Sequence, residues 1–228
     1  MKRILCICLL LIFSTSVFAG DIATFVNLGF SSDGRYFAFG VYGASEKTLN
    51  LYAEMYMVNV RTNRFVADGV KQAVYDEKIQ PGQDGIGALF SLYRGSDRLI
   101  QAYSVNHMTT GRLLYILVNG DEPKADIEFR DFAAGRRYKI ALLQSQSGTE
   151  DNPSAAFHIN LTVTEKDGTE HHYTVGLPSY RRPGVVRYRI QRILLSPDGK
   201  SLVFVMEKEE AAESGINIRY MVETVYTG

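Results

Sequence analysis

Five arginines crowd into twelve residues: Arg181, Arg182, Arg187, Arg189 and Arg192, with no acid among them and Tyr180 just ahead. Guanidinium groups this close repel one another unless anions or carboxylates lie nearby. Arg181 and Arg182 stand between Pro178 and Pro183, which predicts an exposed, stiffened loop. Arg187 and Arg189 alternate with Val186, Tyr188 and Ile190, so they are expected on the solvent side of a strand. Such a set suits docking of a carboxylate-bearing partner, a polyanionic glycan or lipid head groups. The competing expectation is internal pairing with Glu207, Glu209, Glu210 and Glu213 across a sheet, in ion pairs of small worth. The candidate binding residues are Tyr180, Arg181, Arg182, Arg187 and Arg189.

Other chemistry finds less support. Of the four histidines, His158 and His172 fall on one polar face but are offset by about four residues, roughly 13 Å. One zinc needs both nitrogens about 2 Å away, so this pair cannot share it. His171 points opposite to His172, and His107 is distant in sequence. Asp33, Asp167 and Asp198 each precede a glycine, but none sits in a run of alternating oxygen ligands of the calcium-loop kind. An Asp that bonds its own turn, followed by a glycine at positive φ, accounts for all three. No Gly-x-Ser-x-Gly elbow and no phosphate-cradling glycine motif occurs. No catalytic residue, metal or cofactor is therefore predicted. A hydrolase would have to assemble its groups from dispersed positions.

The chain opens with Lys2 and Arg3, an apolar run from Ile4 to Phe13, and Val17-Phe18-Ala19 before Gly20. This is the pattern of a signal peptide, residues 1–19, ahead of a single exported domain, residues 20–228. The apolar run is far short of the about 20 residues needed to span a bilayer. No later segment reaches that length, so the protein is not expected to be integral to a membrane. Cys6 and Cys8, the only cysteines, fall inside the leader. The mature chain then has no disulfide and no thiolate site, and must rely on its core. Losing Lys2 and Arg3 leaves 23 basic against 25 acidic residues, a formal charge of −2. That balance argues against a nucleic-acid partner.

Strand patterns dominate. Phe37, Phe39 and Val41 alternate on one face, and Ala53–Val60 follows as a partner. Lys71–Gly85 reads as irregular, with turn signals at Pro81-Gly82 and Asp84-Gly85. Ile86, Leu89, Phe90 and Tyr93 follow helical spacing, resumed by Leu99, Ile100 and Tyr103 after Gly95-Ser96-Asp97. Two short helices or one broken helix are predicted over 86–103, with Ser96 able to cap the second. Leu113–Val118, Ala125–Phe129 and Arg136–Leu143 read as strands, then Ser145–Ser154 as a polar loop. Ala156–Glu165 alternates cleanly. Keeping one apolar and one polar face in the next hairpin requires a three-residue Lys166-Asp167-Gly168 loop, with Leu161 opposite Tyr173 and Thr162 opposite His172. A bulge near Gln191-Arg192 restores the phase between Ile190 and Ile193. Strands at Ser201–Glu207 and Asn217–Tyr226 flank a Glu-rich segment expected to be a loop.

One pattern occurs twice. Leu28-Gly29-Phe30-Ser31-Ser32-Asp33-Gly34-Arg35 is answered by Leu194-Leu195-Ser196-Pro197-Asp198-Gly199-Lys200, each followed by an apolar strand. These hairpins resemble the TolB-like β-propeller repeat, with Ser32 where that repeat has proline. The resemblance covers two patches and implies propeller-like hairpins in neighbouring or shared sheets. Over its length the chain also resembles an uncharacterised family of predicted secreted bacterial proteins. The features are Asp21-Ile22-Ala23 before Phe25–Phe30, Ala53-Glu54-Met55-Tyr56, and Gly176-Leu177-Pro178 to Arg182-Pro183-Gly184-Val185. That resemblance implies export to the periplasm or medium and assigns no activity. The fold expected is mainly β, antiparallel, as propeller-like hairpins or a two-sheet sandwich. The function expected is a non-enzymatic binding protein of the cell envelope with a protein or anionic partner. A dispersed-site hydrolase and a structural envelope component are the alternatives.

Overall fold

A computed structural model describes residues 20–45, 47–80, 82–118, 120–213 and 215–228. The expected leader and both cysteines lie outside them. Among the described residues no helix is long and apolar enough to cross a membrane. The described residues fold mainly as β, in three antiparallel sheets with no closed barrel among them.

The N-terminal sheet contains β1 (Thr24–Ser31), β2 (Tyr36–Ala44), β3 (Asn50–Asn59), β4 (Arg64–Lys78) and the two-residue β5 (Val105–Asn106), in the order β4-β3-β2-β1-β5. Two short helices, α1 (Ile86–Arg94) and α2 (Asp97–Ala102), cover one of its faces. The outer sheet is the meander β7 (Asp126–Asp131), β8 (Arg136–Thr149), β9 (Asn152–Thr164) and β10 (Glu170–Gly176), with β11 (Arg182–Pro183) also pairing β9. Between them lies the middle sheet: β6 (Arg112–Ile116), β12 (Val185–Leu195), β13 (Ser201–Ala212) and β14 (Gly215–Tyr226), ordered β14-β13-β12-β6.

The layering follows from the side chains of β13. Leu202, Phe204 and Met206 pack with Tyr138, Ile140, Phe157 and Ile159 of the outer sheet. Val203 and Val205 point the other way, onto Phe30, Phe37, Phe39 and Val41 of β1 and β2. An apolar run without alternation, Leu202–Met206, is what a strand buried on both faces requires. The far face of the N-terminal sheet then takes the helices. Gly40 leaves a notch there, since a Cβ would come within 2.6 Å of the Leu89 side chain.

The two repeated turns are the same structure built twice. Ser31 Oγ donates to Asp33 Oδ1 (2.6 Å), Asp33 Oδ1 accepts from Arg35 N (3.0 Å), and Tyr36 N donates to Ser31 Oγ (2.9 Å). Ser196, Asp198, Lys200 and Ser201 repeat these bonds one for one. The hydrogen bonds hold the Asp33 carboxyl below its ordinary value of 3.8. The hairpins lie in adjacent sheets, and the turns meet: a Cβ on Gly34 would lie 2.9 Å from the Asp198 carboxyl carbon. Arg61 ties the same Asp198 at 3.3 Å.

Several local expectations agree with the structure. The β9–β10 register sets Tyr173 opposite Leu161 and His172 opposite Thr162, with Gly168 at φ +91°. The β12 register shifts between Ile190 and Arg192. The stack has three sheets, however, one more than a two-sheet sandwich. β4 runs on through Lys71–Lys78, and Ser145–Ser154 is not a loop but the end of the β8–β9 hairpin. Its polar side chains have partners: Gln144 bonds both the N–H and the C=O of Tyr188, and Gln146 donates to Val186 O. Ser96 precedes α2 without capping it, because its hydroxyl donates back to Leu92 O (2.9 Å). Glu207, Glu209 and Glu210 belong to β13 rather than to a loop.

Candidate functional site: the cleft beside β14

The five arginines do not form one patch. Arg187 and Arg189 sit directly across from Glu209 and Glu207 on β13. Arg187 Nε lies 2.6 Å from Glu209, Arg189 lies 3.1 Å from Glu207, and Arg189 also reaches Glu209. The acids expected in a loop are thus on the adjoining strand, in register to neutralise them. Arg181 is exposed and donates to Ser147 Oγ (2.9 Å). Arg192 lies over the Phe25 ring. Arg182 behaves differently. Its guanidinium lies over Tyr180 (4.9 Å), Phe157 (5.7 Å) and Tyr188 (5.8 Å), and 3.8 Å from Glu223.

Arg182 and Glu223 open onto a cleft of about 490 Å³ that wraps β14. Its apolar wall comes from β2, β3 and the start of β4: Phe39, Tyr56, Val58 and Phe65. Its polar side carries Arg182, Lys208 and Glu223, with Asn63 and Arg64 at the rim. Asn63 Nδ2 donates to Glu223 Oε2, and Asn63 Oδ1 accepts from Thr224 N (2.9 Å). Burial pushes the Glu223 carboxyl above 4.5, opposed by the Asn63 hydrogen bond and the Arg182 charge. Burial likewise raises the Tyr56 and Tyr220 phenols.

The cleft exists because the N-terminal sheet is wider than the sheet stacked on it. Tyr52, Glu54 and Tyr56 of β3 pair with Val74, Gln72 and Val70 of β4. The face these residues share extends past β14, the outermost strand of the middle sheet. Phe65, Val70 and Val74 are accordingly 56%, 43% and 72% exposed. β14 itself is covered at two places on its open side. Ile218 exchanges backbone bonds with the Asp21–Ala23 segment, and Thr224 N is met by Asn63. Backbone groups alternate sides along a strand. Tyr220 and Val222 therefore face outward with Ile218 and Thr224, and both line the cleft.

A second cleft of about 440 Å³ continues along the same face, beside Asp21, Tyr52 and Arg219. Arg219 bonds Asp21 at 2.7 Å and lies over Tyr52, whose hydroxyl donates to Asp21. His158 and His172 are elsewhere, on the β9–β10 hairpin. His172 Nδ1 meets Thr162 Oγ1 at 3.0 Å, and its nearest carboxylate, Glu170, is 3.9 Å away. Among the described residues no three His, Cys, Asp or Glu side chains converge as a metal set.

Of the sequence-derived candidates, Arg182 lines this cleft, and Tyr180 packs on its guanidinium. Glu223, Tyr220, Asn63 and Phe65 were not singled out. Glu223 carried a signal, an acid at the alternating position between the apolar Met221 and Val225.

Fold and site together define a three-sheet β protein with a groove along one sheet edge. The chain belongs to the family described as predicted secreted protein (DUF2259), whose model matches residues 38–226. Export agrees with that description. No curated protein matches the chain.

Proposed function

We propose that this is a non-enzymatic binding protein of the cell envelope, and that its ligand is taken in the cleft beside β14. The observation that carries the reading is the overhang of β3 and β4, which leaves Phe65 and Val70 exposed beside cationic groups and an outermost strand. Exposed apolar side chains rimmed by polar groups mark interaction surfaces. Arg182, with Tyr180 stacked on it, belongs to this site. Arg187 and Arg189 serve the sheet through Glu207 and Glu209. The TolB-like repeat enters the proposal as the means of stacking: two matched turns lock adjacent hairpins and leave the sheet edges for binding.

The test is in-cell photo-crosslinking from a benzoylphenylalanine in place of Phe65, with the same group in place of Thr174 on the outer sheet as control. One partner captured from position 65, absent from position 174 and lost in a folded Arg182→Glu variant, is the expected result. Equal capture from both positions, or capture indifferent to Arg182→Glu, would overturn the assignment.

A further inference from the structure

We propose that the cleft takes a short extended peptide segment of apolar–acidic–apolar pattern, which adds to the middle sheet as a strand beside β14. The inference rests on the cleft being the binding site and goes on to name what binds there.

The backbone argues first. The outward N–H and C=O groups of Tyr220 and Val222 are about 7 Å apart along the strand, the two-residue repeat of a β ladder. A peptide backbone at that repeat meets both. At three places on the middle sheet the molecule covers such open backbone with its own groups. Gln144 satisfies Tyr188 on the open side of β12, Asp21–Ala23 covers Ile218, and Asn63 covers Thr224. The stretch of β14 between the last two covers lies in the cleft.

The same two covers set the length. A strand seated between the Asp21–Ala23 segment and Asn63 has room for about five residues at 3.3 Å each. A second copy of β14, twelve residues long, would overrun Asp21–Ala23. The occupant is therefore a linear segment rather than another copy of this strand.

The two faces of β14 dictate the side chains. Val222 and Tyr220 point toward the N-terminal sheet. Peptide residues directly opposite them project the same way, about 4.8 Å outward from β14. They would cover Tyr56, Phe65 and Val70, so both should be apolar. The residue between them lies opposite Met221, which packs on the other face of the sheet. Arg182 and Lys208 line the cleft on that side. Each already has one acid nearby, Glu223 at 3.8 Å and Glu210 at 2.6 Å. Arg64 also lines the cleft, so three cations face two acids and a cationic excess remains for a carboxylate of the ligand.

The probe is a capped, fluorescein-labelled Ser-Val-Glu-Val-Ser peptide titrated with residues 20–228 by fluorescence anisotropy. Three comparisons go with it: the peptide N-methylated at both valines, the peptide with Lys for Glu, and the Val222→Pro protein. The Val222 N–H points outward, so proline there leaves the β13 ladder in place. Saturable binding, weakened at least tenfold by each of the three changes, is expected. Equal binding of the N-methylated peptide would overturn strand addition without using any protein variant. Equal binding of the Lys peptide would overturn the acidic requirement. If the peptide does not bind while position 65 still captures a partner, the strand-addition inference fails and the cleft assignment survives. If position 65 captures nothing and the peptide binds with the full pattern of losses, the inference stands on its own.

Discussion

Asp131 shows how much one buried carboxylate can decide. It is almost fully buried at the end of β7, yet it accepts bonds from both Arg112 terminal nitrogens and from the Ala133 and Ala134 amides. Arg112 starts β6, so this fork joins the middle sheet to the outer one. The Arg112 bond, then the two amides, hold the Asp131 carboxyl below its ordinary 3.8. A depressed folded-state value means the native state binds fewer protons than the unfolded chain, so its contribution is fully present above 3.8 and lost as pH falls below it. Asp131→Asn should therefore cost about 2 kcal/mol at neutral pH, the worth of hydrogen bonds to a charged group. The loss should shrink below pH 3.8, read as urea midpoints between pH 7 and pH 2.5. A pH-independent loss would assign Asp131 to packing alone. Nothing in Phe129-Arg130-Asp131-Phe132 distinguishes Asp131 from its neighbours by pattern. Its partner lies 19 residues upstream, and only the meeting of two sheets brings them together.

At the scale of elements, the repeated turn was legible because its chemistry is local. Ser, Asp and Gly at fixed offsets close the same hydrogen bonds in both copies. The β9–β10 register and the β12 bulge were legible for a related reason, since alternation of apolar side chains leaves one solution. The extended β8–β9 hairpin was not, because its polar residues are satisfied by β12, a strand distant in sequence. The same limit separates the two turns. Gly34 and Gly199 have nearly identical φ, +70° and +72°, so an alanine at either position costs about 1–2 kcal/mol in the left-handed region. Space around Gly199 is open, whereas a Cβ at Gly34 meets Asp198. Gly34→Ala should therefore destabilise more than Gly199→Ala in urea unfolding. It should also lose that excess when combined with Asp198→Ala, beyond the cost of Asp198→Ala alone. Equal costs would mean that the stacked turns yield without strain.

For the whole molecule, the middle sheet belongs to two cores at once, and this governs how the protein comes apart. The outer core draws Phe204 and Met206 from β13, and the inner core draws Val203 and Val205 from the same strand. Neither core can dissolve without exposing a face of β13, so the layers should unfold together. The cleft follows from the same stacking: a five-stranded sheet covered by a four-stranded one leaves β3 and β4 overhanging. That overhang was invisible in sequence, because nothing local to Tyr56, Phe65 or Val70 tells that the partner sheet stops short of them. Cooperativity can be tested from both sides of β13. Phe204→Ala loosens the outer core and should cost about 4 kcal/mol, while Leu194→Ala loosens the inner core and should cost about 3 kcal/mol. If β13 couples the layers, each variant shifts one transition, and far-ultraviolet and near-ultraviolet circular dichroism still coincide. Tyr138 and Tyr188 lie in the outer core and contribute to the near-ultraviolet signal. In Leu194→Ala, a tyrosine signal that survives after the sheet signal begins to fall would mean that the outer core holds without the inner one. The three sheets would then be separable layers rather than a single folding unit.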